Sequence, residues 1–268
     1  QLTPDQEMLL VSKKKSQSPS LLSLFHPHTG EALRRFTLLD HEAQPRPTGV
    51  GGIAVAQDHL FIVSQQAGRG FIGVLSGETL RTAWSDPATQ TLQPSWIPIE
   101  QRASVSLLDG GRIWAIAFVY PGHAQYGFDA ASRIRIDGRD RPRGRAYALA
   151  DLLAWTPGNP PPPPVAEAAW PEWMQGAAIV EDQLWLSRSW STRHRHLERH
   201  PLSALTDGNV GSQPSEKVLD IPFYGEGLWT TAEGHLWMVF EGGTPSRRRR
   251  LLRAGHHVES RALRFDPK

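Results

Sequence analysis

The sequence predicts an all-β chain, a single five-bladed β-propeller closed by its N- and C-terminal strands, with a six-bladed ring as the alternative. Three observations predict it. Glycine (24) and proline (22) are spread in short clusters along the 268 residues, which suits many turns between short strands better than long helices. A hairpin pattern recurs at a spacing of about 50 residues, the length of a four-stranded blade with its loops. Hydrophobic residues make up 39% and charged residues 21% of the chain, enough apolar surface for a large core and unlike the balance of a disordered chain.

The hairpin pattern consists of small residues, an apolar strand, an acidic or glycine-bearing turn and a second apolar strand. It reads GGIAVAQDHLFIVS from Gly51, ASVSLLDGGRIWAIAF from Ala103, QGAAIVEDQLWLSRSW from Gln175 and GEGLWTTAEGHLWMVFE from Gly225. The turns fall at Gln57-Asp58, Asp109-Gly110-Gly111, Glu181-Asp182 and Glu233-Gly234, where residues tolerant of turn geometry join two strand-forming runs. The first apolar residues after the turns are Leu60, Ile113, Leu184 and Leu236, at intervals of 53, 71 and 52 residues. Leu9, 51 residues before Leu60, supplies a fifth repeat.

The long interval implies a surface insertion at about 133–165 within one domain spanning 1–268. Arg133 to Arg145 holds six arginines and Pro160 to Pro164 is a proline run, and neither composition suits a central sheet ladder. Ala146 to Trp155 is expected to form a short helix. Too few residues precede Leu9 to complete its repeat, while the tail SRALRFDPK is surplus, so Ala262 to Phe265 is expected to pair with the N-terminal strands and close the ring. Trp114, Trp185 and Trp237 sit one residue after the aligned apolar position and read as packing residues. Trp155, Trp170 and Trp173 read as pins holding the insertion to the wall.

With no cysteine, disulfides, thiolate metal sites and cysteine nucleophiles are excluded. The longest apolar run, Ile113 to Tyr120, has eight residues, too short for a membrane helix. A start at Gln1 without a charged segment and apolar stretch reads as a processed protein, secreted or periplasmic. Net charge is +2, so partner arguments rest on patches rather than on the total.

The motifs Gln175-Gly176, Ser187-Arg188-Ser189-Trp190, Glu226-Gly227 and Glu241-Gly242 resemble those of a family of secreted bacterial proteins of uncharacterised function with propeller-like repeats. The likeness covers Gln175 to Arg250 and is weaker at Gly51-Gly52. The stretch Thr192-Arg193-His194 departs from the family pattern. The resemblance implies an exported propeller and no particular reaction. The GEGLW segment from Gly225 is similar to blade starts of gluconolactonase-like calcium propellers. Their further asparagine and aspartate have no counterpart here, since Asn159 and Asn209 lie in loop-like sequence.

In a propeller the starts of the innermost strands converge at one mouth of the channel. Gln175, Arg188, Glu226 and Glu241 are the ligand-binding candidates there, with no cofactor expected and calcium in the channel as the minority alternative. The glycines beside Gln175 and Glu226 are expected to let neighbouring backbones approach closely. Arg247, Arg248, Arg249 and Arg250 form an anion-binding candidate, because guanidinium forks match oxyanions. His194, His196 and His200 read as part of a basic exposed loop rather than a metal site, as do His26 and His28. No Gly-x-Ser-x-Gly motif is present, so a nucleophile elbow is excluded.

These features rank a non-catalytic binding or protein-interaction propeller first, with an unknown protein or an anion as its partner and no sequence-specific nucleic acid reading. A metal-assisted hydrolase, lactonase- or glycosidase-like, and an anion-binding surface protein are the alternatives.

Overall fold

The recurrent hairpins are antiparallel strands in the computed structural model, which describes residues 8–13, 19–25, 32–46, 49–66, 68–124, 126–190, 193–221, 225–230, 236–240 and 262–265. Two compact units divide the chain: Gln1–Ala115 with Tyr147–Pro164, and Ile116–Ala146 with Val165–Lys268.

In the first unit, Met8–Lys13 (β1), Ser20–Phe25 (β2) and Ala32–Leu38 (β3) form one antiparallel meander. Val50–Ala56 (β4), His59–Gln66 (β5) and Arg69–Ser76 (β6) form another. Helix Gly77–Ser85 (α1) follows, its first turn capped by the Ser76 hydroxyl, which accepts from the Thr79 N–H. The chain then adds an outer strand to each meander. Thr91–Leu92 (β7) pairs in parallel with β3, and Ser95–Ile99 (β8) pairs antiparallel with β6. Val105–Asp109 (β9) and Arg112–Ile116 (β10) form the next hairpin, and Leu149–Ala154 (α2) is a short helix.

Turn chemistry explains why these hairpins close where they do. Gln57 and Asp58 both sit at positive φ (49° and 57°), as do Gly110 and Gly111 (50° and 89°). Two such residues in succession match the right-handed twist of the flanking strands. Arg81 on α1 donates to both oxygens of Asp58 at 2.8 Å, and this interaction lowers the Asp58 pKa.

Strand β5 is apolar on both faces. Leu60 and Ile62 pack with Leu22, Phe36 and Leu38, while Phe61 and Val63 pack with Ile97, Ile113 and Ala115. Its sheet is therefore covered on both sides, in keeping with the unbroken apolar run LFIV. First strands also lie close together: a Cβ on Gly52 would stand 2.5 Å from the Ser106 backbone nitrogen, and one on Gly51 would collide with the Ser104 backbone.

The second unit holds Arg133–Ile136 (β11), Arg139–Ala148 (β12) and Ala166–Ala169 (β13), with β12 pairing antiparallel to both of the others. Met174–Val180 (β14), Gln183–Trp190 (β15), Arg193–Pro201 (β16) and Glu216–Asp220 (β17) make a four-stranded antiparallel sheet, with helix Ser203–Thr206 (α3) between its last two strands. Gly225–Thr230 (β18), Leu236–Phe240 (β19) and Ala262–Phe265 (β20) make a three-stranded one. Trp185 and Leu197 of the former pack with Leu228, Leu236 and Met238 of the latter.

Four sequence expectations are corrected. Ala262–Phe265 pairs with β19 and not with the N-terminal strands. The cause is a slipped repeat frame: Leu9 lies on the first strand of its meander, whereas Leu60, Ile113, Leu184 and Leu236 lie on second strands. β1 already stands as the first strand of its meander.

The arginine-rich stretch forms the β11–β12 hairpin instead of a surface excursion. Asp137 and Gly138 at positive φ (49° and 75°) close it; the long aliphatic stems of arginine lie along a strand, and the buried Arg145 is met by Glu167. The helix begins at Leu149, because Ala146 to Ala148 complete β12.

The close approach expected beside Glu226 is also not found, since a Cβ on Gly227 would meet nothing within 4 Å. Trp170 is fully buried and its indole occupies the space where a Gly144 side chain would begin.

Replacing Gly52 by Ala is expected to cost about 2 kcal/mol in urea unfolding, because its methyl group forces β4 from β9. Gly227→Ala should change stability by less than about 0.5 kcal/mol. Equal midpoints for the two variants would contradict the close packing of β4 on β9.

Candidate functional site

Alternation along β16 places His196, Glu198 and His200 on one face. The β15–β16 register sets Arg188 directly opposite His196. Glu198 is 4% exposed, and three donors converge on it. Arg188 Nη1 lies 2.6 Å from Oε1, His196 Nε2 lies 2.6 Å from the same oxygen, and His200 Nε2 lies 3.3 Å from Oε2. Burial by itself would raise the Glu198 pKa. Hydrogen bonds from His196 and His200 and the charge of Arg188 outweigh it and hold the carboxyl well below the usual carboxylate range.

Arg188 is fixed at a second point, donating through Nε to the Glu172 carbonyl at 3.0 Å. Its guanidinium lies over the Trp173 ring at 5.8 Å. Trp173 sits at a φ of 57°, a left-handed conformation rare for a bulky residue and costing about 1–2 kcal/mol. Its backbone is held from both sides: the N–H donates to Val119 at 3.0 Å, and the carbonyl accepts from the Ser189 N–H at 3.1 Å.

The loop after β10 adds an aromatic cluster. Tyr120 stacks on His123 at 5.3 Å and meets Trp173 at 6.1 Å, His123 meets Tyr126 at 5.0 Å, and Tyr126 packs edge-on against Phe118 at 5.6 Å. Tyr120, His123, Tyr126 and Trp173 are half-buried, and the cluster joins Arg188 through Trp173.

The strand starts carry a repeated irregularity. The ladders β4–β5, β14–β15 and β18–β19 shift register at Val50/Gly52, Met174/Gly176 and Gly225/Leu228. Each shift falls on the residues singled out in the sequence, Gly51, Gln175 and Glu226-Gly227. Such bulges re-aim a side chain out of the regular pleat. Gln175 is half-buried at its bulge, one residue from Met174, which lies opposite Arg188.

Of the sequence candidates, Gln175 and Arg188 therefore lie at one end of the same sheet. The Glu226 side chain, Glu241 and Arg247 to Arg250 lie outside what the structure describes, as do His26, His28 and the His194 side chain. His196 and His200 are corrected: they are strand residues on a buried carboxylate and not part of an exposed loop.

Glu198 and the aromatic loop escaped the sequence reading. The alternation in RHRHLERH was the signal for Glu198, since an extended strand puts His196, Glu198 and His200 in phase. At the opposite end of this sheet a cleft of about 620 Å³ opens between Val180, Trp185, Arg199 and Glu216, with Arg199 ion-paired to Glu216. Among the described residues no three His, Cys, Asp or Glu side chains are grouped to hold a metal ion, and no helix is long and apolar enough to cross a membrane.

No protein-family model matches the chain, and no curated protein does. Among solved structures it is similar to the glutaminyl cyclase of Myxococcus xanthus (8% identity, 88% of this chain and 93% of that one, TM-score 0.47). A putative glucose dehydrogenase from Thermus thermophilus aligns over 90% of this chain and 89% of that one, at 10% identity and a TM-score of 0.43. A luciferin-regenerating enzyme aligns over 87% and 68%, at 12% identity and a TM-score of 0.42. These neighbours are β-propeller-like proteins. All three scores lie below 0.5, and the likenesses carry no argument for a reaction or a ligand.

Replacing Glu198 by Gln is expected to destabilise the protein by about 3 kcal/mol at pH 7, because Arg188 loses its buried counter-charge. The lowered pKa means that the Glu198 contribution is complete above the unfolded value of about 4.3 and fades as pH falls below it. Denaturant titrations from pH 7 to 2 should show the wild type losing its advantage only in the acid range. An advantage that instead shrinks between pH 8 and 6 would contradict an ionised Glu198.

Proposed function

We propose that this chain is a five-bladed β-propeller that binds a polar, ring-bearing ligand without transforming it. Counting β9 to β13 together, the described strands group into five sheets, which supports the five-blade reading. The ligand seat proposed is the end of the β14–β17 sheet where Gln175 and Arg188 lie, with Glu226 and Glu241 as further contributors and Tyr120, His123, Tyr126 and Trp173 as the aromatic wall. The observation that carries this reading is the Glu198 hub, which holds Arg188 in one position against the Trp173 ring.

Fixed cations and aromatic edges favour recognition, because a preorganised group loses little freedom when a ligand arrives. General acid catalysis needs a carboxyl that keeps its proton near neutral pH. Glu198 is held in the opposite state, which supports binding over hydrolysis. The reading needs no cofactor.

A thermal-shift panel of sugars, sugar acids and aromatic carboxylates on the intact protein tests it. Ligands that raise the melting temperature should lose at least about tenfold in affinity in Tyr126→Ala and in Glu226→Gln, with neither substitution altering the unliganded melting temperature by more than a few degrees. A ligand whose binding survives both substitutions, or which is converted to product, would contradict the proposal.

A further inference from the structure

Alternation along β12 puts Arg139, Arg141, Arg143 and Arg145 on a single face of the strand, while Arg133 and Arg135 of β11 share the opposite side with Asp140. The two halves of this arginine row are neutralised differently. At its inner end Arg145 Nε lies 2.6 Å from Glu167 Oε1 and Arg143 Nε lies 3.8 Å from Oε2 of the same carboxylate. Glu167 stands opposite Arg145 on β13. Across the strand, Arg133 pairs with Asp140 at 3.2 Å. Arg139 and Arg141 form no ion pair among the described residues.

The Nε–H groups of Arg141 and Arg143 are buried and have no hydrogen-bond acceptor. Buried polar groups in folded proteins are almost always satisfied, by protein, water or a bound ion. An unmet donor on a guanidinium costs more than one on a neutral group; the Arg143 charge is met by Glu167, whereas Arg141 has no carboxylate partner among the described residues.

We propose that the outer part of this row is a binding site for a tetrahedral oxyanion, a phosphate or sulfate group, held by Arg139, Arg141 and Arg143. Same-face positions two residues apart on a strand stand about 7 Å apart, which lets two guanidinium forks close on opposite edges of one tetrahedral group. Arg143 has Nε beside Glu167 and Nη1 on the Ala131 carbonyl at 3.3 Å, which leaves Nη2 as its contribution to the site. Arg139 is exposed and Arg141 half-buried, so the site opens outward and deepens towards Arg143. The site lies on a different sheet from the Glu198 hub and stands without the ligand-seat proposal.

Calorimetric titration of the full chain with sodium phosphate and sodium sulfate, against sodium chloride at equal ionic strength, tests the proposal. Saturable one-to-one binding of phosphate or sulfate is expected, with no saturable heat for chloride. Arg141→Gln should weaken it about tenfold or more, the effect of losing one charge-assisted hydrogen bond. Arg133→Gln, on the other face, should leave it within about twofold. Should Arg141→Gln fail to fold, the exposed Arg139→Gln serves, with several-fold weakening expected.

Titrations with phenyl phosphate and phenyl sulfate separate the sources of the group. Tighter binding than the inorganic ion assigns the site to an ester-borne group, and equal or weaker binding assigns it to the free ion. Absence of saturable binding by all four, or binding unchanged by both Arg141→Gln and Arg139→Gln, overturns the proposal.

Discussion

An ionised carboxylate with almost no exposure is the constraint around which the second unit is arranged. Moving a carboxylate out of water costs several kcal/mol even after relaxation, and Glu198 recovers it only because Arg188, His196 and His200 all point at it. That convergence depends on register. A one-residue slip between β15 and β16 would send Arg188 to the opposite face, leaving two buried charges apart. The hub thus fixes strand register, and register in turn fixes the guanidinium that lies over the Trp173 ring.

What was legible in the sequence is the part encoded locally. Gln57-Asp58 and Gly110-Gly111 signal their turns through residues that tolerate positive φ, and the runs on either side name their own partners. The outer strands carry no such signal. β7 and β8 join their sheets only after helix α1 has intervened, and β20 follows β19 at a distance of more than twenty residues. Their placement depends on tertiary packing. The slipped frame at Leu9 has a related cause: first and second strands here are both apolar, so MLLVSK fits either role until its partners are known.

The candidate site was half legible. Glycine beside Gln175 and Glu226 marked strand starts that do carry bulges, and Ser187-Arg188-Ser189 marked the strand end where Arg188 lies. Glu198 was masked by composition, since a stretch with three arginines and three histidines between Arg193 and His200 reads as solvated surface unless its period of two is followed. Arg139 to Arg145 was misread for the same reason. Tyr120, His123 and Tyr126 sit in YPGHAQYGF, which has no strand or helix period, and nothing local in Pro171-Glu172-Trp173 announces a left-handed tryptophan.

A double-mutant cycle on Arg188 and Glu198, with Arg188→Gln, Glu198→Gln and the pair compared by denaturant unfolding at pH 7, measures the hub most directly. The account predicts a coupling free energy of about 2 kcal/mol or more, with the double variant more stable than the sum of the single losses implies. Additive losses, with coupling below about 0.5 kcal/mol, would mean that Glu198 does not hold Arg188 and would contradict the account.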